Sequence, residues 1–199
     1  LNPITGVDAA TGYNTVVMLT SDHGEMLGDH HLWRKTLPYE GSARIPLLAR
    51  APERFGVRRG AVVEAPVCLE DIMPTVLDFA GVPVPPAVEG RSLLPLMRGE
   101  RPAWREYVHI EHAPVHHALT DGREKYVWFA ADGREQFFRL ADDPRELRNL
   151  AGRPEEAGAL ARWRTRLIAE LAGRPEGFSD GARLVPGRPY PPVREPRRA

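Results

Sequence analysis

Between Asn14 and Lys35 the chain reads NTVVMLTSDHGEMLGDHHLWRK, and three side chains in it could act together on an anion. Asp22 and His23 are both metal-ligand types, one offering carboxylate oxygen and the other imidazole nitrogen. Lys35 follows His23 by twelve positions. Lysine is scarce here: of 27 Lys plus Arg, only Lys35 and Lys125 are lysine. A compact ammonium in an otherwise arginine-using chain suits an oxyanion contact. A divalent cation and an ammonium around a tetrahedral anion would stabilise charge on its oxygens while an ester bond breaks. In isolation, an Asp–His pair is more often a loop or capping pair, and a lone lysine a solvated charge.

The elements that must position these residues are legible. Val16-Val17-Met18-Leu19 is an unbroken apolar run of strand length, which predicts a strand over Thr15–Thr20 buried on both faces. Asp22 and His23 then fall at its carboxyl end, where open α/β sheets bind ligands and metals. Gly24 lets the chain turn away sharply.

The segments SDHGEMLGDHHLWRK and YEGSARIPLL resemble the second characteristic stretch of type I sulfatases, in the alkaline phosphatase superfamily, with arylsulfatase-like and choline-sulfatase-like enzymes nearest in pattern. VCLEDIMPTVLDFAGVPVP, EGRSLLPLMRGE and DGREKYVWFAADGREQFFRLADDPRELRNLA agree with it in order. The resemblance runs from about Tyr13 to Leu171 and matches only the carboxy-terminal part of such an enzyme. It implies that Asp22 and His23 are metal ligands, that the cation is calcium, and that Lys35 is the catalytic lysine contacting the ester oxygens. Calcium prefers oxygen donors, whereas an imidazole suits zinc, manganese or iron better. His31, in the loop lining the substrate pocket, and His112 are candidate substrate contacts; His30, Trp33 and Arg34 share that loop.

The resemblance also implies a formylglycine nucleophile made from Cys or Ser within C/S-x-P/A-x-R. Cys68, in APVCLEDIMP, lacks that context, as do Ser21, Ser42, Ser92 and Ser179. The expected function is therefore a sulfuric ester hydrolase, represented by a chain lacking the amino-terminal half of the catalytic domain and inactive alone. The alternatives are a phosphate or phosphonate ester hydrolase of the same superfamily, or an inactive sulfatase-like binding module. The expected partner is a sulfated small molecule or glycan.

Composition adds bounds. The 27 basic residues balance 27 acidic ones, which argues against a nucleic-acid or anionic-membrane surface. One cysteine excludes an internal disulfide, and no apolar run approaches the roughly 20 residues that span a bilayer. LNPITGVDAATG shows no signal-peptide pattern, leaving bacterial cytoplasm and periplasm both open.

The fold class expected is α/β: the end of an alkaline-phosphatase-like sheet domain over 1–100, an antiparallel four-stranded sheet with a packed helix over 101–175, and an irregular tail over 176–199. RIPLLA (44–49) is a second short strand, and a helix over 71–80 tolerates Pro74 only in its first turn and stops at Gly81. Four runs, at 107–111, 117–120, 125–130 and 134–140, are rich in aromatic and β-branched residues; Asp121-Gly122 and Asp132-Gly133 predict hairpin turns between the last three. Leu160, Trp163, Leu167 and Leu171 form one apolar stripe on a helix over 154–171. His109, His112, His116 and His117 match no strong zinc spacing and are expected as meander residues near the pocket rim.

Overall fold

The computed structural model describes residues 14–112 and 114–189. The opening LNPITGVDAATG and the last ten residues of the tail lie outside them. The chain divides into two compact units, Leu1–Asp22 with Ile45–Glu106, and His23–Arg44 with Tyr107–Ala199.

In the first unit, β1 (Val17–Thr20) pairs antiparallel with β2 (Leu47–Arg50), Val17 opposite Arg50. The expected burial of β1 on both faces is corrected here: Val17 is 42% and Leu19 52% exposed, and Leu48 on β2 is 63% exposed. The reason is layering, because β1 and β2 form a sheet of two strands, which shields little side-chain surface. The helix expected at 71–80 is present over Ile72–Ala80, with Pro74 in its first turn and Gly81 in the left-handed conformation at φ 69°. Asp71 at its start is fully buried and gathers the unit: it accepts from Arg105 at 2.5 and 2.7 Å, from Cys68 N at 3.0 Å and from Arg91 N at 2.8 Å. Burial opposes ionisation of Asp71, but these donors outweigh it and hold its pKa below the usual 3.8. A short helix follows over Leu94–Met97.

The second unit is the expected meander, β3 (Val108–His112), β4 (His116–Thr120), β5 (Glu124–Phe129) and β6 (Glu135–Arg139), all antiparallel and in chain order. Gly122 and Gly133 turn the hairpins at φ 84° and 75°, with Asp121 Oδ1 accepting from the backbone of Arg123 and Glu124, each at 2.8 Å. A long helix, Ala157–Leu171, lays its apolar stripe on one sheet face; Leu160, Trp163, Leu167 and Leu171 meet Leu119, Tyr126, Trp128 and Phe137 there. Alternate residues of the strands, Ala118, Val127 and Phe138, form a second core on the other face, against Met26 and Tyr39. The described part of the tail, 176–189, is irregular, and its Phe178 is buried in the helix-side core.

Candidate functional site

The segment 23–44 lies against the loop-side face of the meander and carries His23, His31 and Lys35. Its first turn needs Gly24, because a Cβ there would sit 2.2 Å from Gly41 O. Gly24 N donates to Ser42 O at 2.7 Å, which closes the loop at its base. Ser42 Oγ donates to Lys35 O at 2.6 Å, fixing the backbone from which the lysine projects.

The chemistry centres on His23. Its Nδ1 lies 2.7 Å from Gly24 O, and a carbonyl can only accept, so Nδ1 carries the proton and Nε2 presents a lone pair. Lys35 Nζ is 2.5 Å from that Nε2. An imidazole whose second nitrogen is tied to a carbonyl is oriented as metal-ligating histidines are. Asp22 precedes it in the chain and is exposed, as is Lys35. The donor set therefore fits a cation on its imidazole side. The ammonium, on its flexible stem, can turn from the lone pair towards an anion when that lone pair is taken.

The loop between the two residues is strained. Leu27, His30, His31 and Arg34 have φ of 48°, 55°, 59° and 76°, each costing roughly 1–2 kcal/mol in an L residue. Packing and hydrogen bonds offset this. Met26 is buried beneath the loop, and Gly28 N donates to Leu32 O at 2.9 Å. His30 stacks on Tyr39 with centroids 4.2 Å apart and rings 6° from parallel, while its Nε2 lies 2.9 Å from Arg145 O. Asp29 pairs with Arg145 at 2.8 Å.

Of the sequence candidates, the fold brings His23 and Lys35 together. His31 is exposed within the strained turn, and His112 is exposed at the end of β3 with its ring 5.7 Å from that of His116. Among the described residues neither shares a hydrogen bond with Lys35. His116 and His117 are buried, and burial first, then a neighbouring histidine in each case, brings both down to about 4.

One supporting group had no site role in the sequence. Lys125, the other lysine, is fully buried on β5. It donates to Pro38 O and Glu40 Oε1, both at 2.8 Å, and lies 2.9 Å from Glu146 Oε1. Glu146 Oε2 accepts from Glu40 N at 2.6 Å. This buried charge cluster clamps the carboxyl end of the site loop onto the meander. Its signal was the same scarcity of lysine that marked Lys35.

A family model described as N-sulphoglucosamine sulphohydrolase, C-terminal, matches residues 28–172. The chain belongs to the sulfatase family. This sulfatase chain is 42% identical over 180 residues to an arylsulfatase of Clostridium perfringens, a match covering 88% of it and 37% of that protein. Among solved structures it is similar to a phosphonate monoester hydrolase from Silicibacter pomeroyi, with a TM-score of 0.68 and 37% identity over 79% of this chain and 34% of that one. It is also similar to an enzyme solved in complex with its substrate D-glucosamine-2-N,6-O-disulfate, with a TM-score of 0.67 and 28% identity, over 79% and 34% of the two chains. The sulfatase chain thus spans about a third of the length of the relatives it matches.

Proposed function

We propose that the protein to which this chain belongs hydrolyses sulfate monoesters, with Asp22 and His23 as ligands of a divalent cation and Lys35 as the catalytic contact to the sulfate oxygens. The observation that carries the reading is the approach of Lys35 Nζ to 2.5 Å from His23 Nε2, with His23 Nδ1 pinned to Gly24 O. Sulfatases as a family use a divalent metal. Bound at this site, such a cation would draw charge from the ester oxygens as the S–O bond breaks. The chain's own part is to hold His23 in one tautomer and to bring an ammonium to the same anion.

Calcium is the ion we propose, with the imidazole as a departure from an all-oxygen shell. The nucleophile, a formylglycine by resemblance, would come from residues outside this chain, so the chain alone should be inactive. The apolar side chains exposed on β1 and β2 support that reading, because further sheet would cover them. The substrate proposed is a sulfated small molecule or glycan, with His31 and His112 as candidate contacts to it.

The similarity to a phosphonate monoester hydrolase keeps a second reading open. Turnover of p-nitrophenyl sulfate and of a p-nitrophenyl phosphonate monoester by the intact protein separates the two. We expect preferential sulfate release, loss of turnover on chelation and recovery on adding Ca2+. Faster cleavage of the phosphonate would establish the second reading, and cleavage of neither ester would leave a binding module.

A further inference from the structure

On the opposite face of the meander from the site loop, three potential metal ligands converge that the sulfatase reading does not use. His109 and Glu111 are two residues apart on β3 and therefore share a face. Glu111 is paired in register with His117 of β4, which brings the third side chain to the same face. His109 Nε2 lies 3.1 Å from His117 Nδ1, and Glu111 Oε2 lies 3.9 and 3.7 Å from those two nitrogens. Ligands of a tetrahedral zinc, with bonds of about 2.0–2.1 Å, stand about 3.3 Å from one another. The observed triangle brackets that separation, so small side-chain rotations would close it around one ion.

The surroundings favour a cation. His117 is 1% exposed, with its ring 5.4 Å from that of Phe178 and 6.1 Å from that of Trp128. Its Nε2 has no hydrogen-bond partner among the described residues. Whatever offsets the burial of this imidazole must therefore act at Nδ1, where the other two ligands converge. Arg174 reaches the same carboxylate, donating to Glu111 Oε2 at 2.7 Å and to Oε1 at 3.3 Å, and it also donates to Glu176 Oε1 at 3.1 Å. Arg174 is the competitor, since it occupies the oxygen a metal would take. It can retain Oε1 and Glu176 while yielding Oε2. Glu111 is exposed, which supplies the way in.

We propose that His109, Glu111 and His117 form a second metal site, selective for a borderline-soft divalent ion such as Zn2+, with a solvent molecule as fourth ligand. Two imidazoles and one carboxylate suit zinc and disfavour calcium. The site pins β3 to β4 beside Phe178 and is separate from the Asp22–His23 pair.

Isothermal titration of the full 199-residue chain with ZnCl2, in an Asp22→Ala/His23→Ala background, tests it. One equivalent should bind there. His109→Ala, a half-buried position that need not disturb the core, should abolish binding, and Glu111→Gln should weaken it at least tenfold. Arg174→Gln should tighten binding by freeing Oε2. Failure of the Asp22→Ala/His23→Ala chain to bind zinc while remaining folded by circular dichroism would overturn the proposal. So would zinc binding that survives His109→Ala unchanged.

Discussion

Replacing Lys125 with methionine removes the buried cation of this cluster and leaves the Glu40 and Glu146 carboxylates facing each other, with only the exposed Arg44 3.6 Å from Glu40. The Lys125 and Glu146 side chains are 0% and 1% exposed, and that of Glu40 is 18% exposed. Removing one partner of a buried ion pair costs about 3–5 kcal/mol, because the other charge is left without compensation. Methionine nearly matches lysine in length, so little of that cost is cavity. For a chain of this size it corresponds to a fall in Tm of roughly 10–15 °C. The pH dependence follows from Glu146, whose pKa is raised, by burial foremost, against the lowering effect of Lys125. A carboxyl with a raised folded pKa contributes stability that is complete below its unfolded value near 4.5 and is lost as pH rises through the folded value. Without Lys125 that folded value climbs further, so the penalty of Lys125→Met should be larger at pH 7 than near pH 5. Guanidinium unfolding followed by tryptophan fluorescence at both pH values measures it. Lys125→Met/Glu146→Leu should recover most of the loss, since an apolar replacement of a buried pair is often close to neutral. A loss below about 1 kcal/mol, or a penalty independent of pH, would refute the reasoning.

Asp71→Ala should cost about 3–5 kcal/mol by stranding Arg105. Because the Asp71 pKa is held low, the contribution it loses is present at neutral pH and fades as pH falls below 3.8; urea melts of both proteins should converge in acid. Gly24→Ala forces a Cβ against Gly41 O, which should cost about 1–3 kcal/mol in thermal denaturation and displace the loop base. Leu167→Ala, at a fully buried position on the long helix, should cost about 2–5 kcal/mol by the same measurement.

The meander and its helix were legible because their signals are local. Runs of aromatic and β-branched residues, Asp-Gly turns and the stripe of Leu160, Trp163, Leu167 and Leu171 each act within a few residues. The exposure of β1 was not legible, because an apolar run reports what a strand can bury and not which layers this chain supplies. The site was half legible. His23 and Lys35 were candidates by residue type and by the resemblance, but the tautomer of His23 depends on a backbone carbonyl. The loop between them depends on Tyr39, Arg145 and Lys125, over a hundred residues from His23 in the last two cases. His109 and His117 were set aside as meander residues near the pocket rim for a related reason: only the β3–β4 register sets His117 opposite Glu111, and no linear spacing encodes that pairing.

The most direct test of the proposed anion site is the turnover of p-nitrophenyl sulfate by the intact protein with Lys35→Ala. Loss of one preorganised contact to developing charge costs about 10²–10³ in kcat, and the exposed position of Lys35 predicts an unchanged Tm. A kcat within a few-fold of the unsubstituted enzyme would show that the ammonium beside His23 takes no part in the reaction.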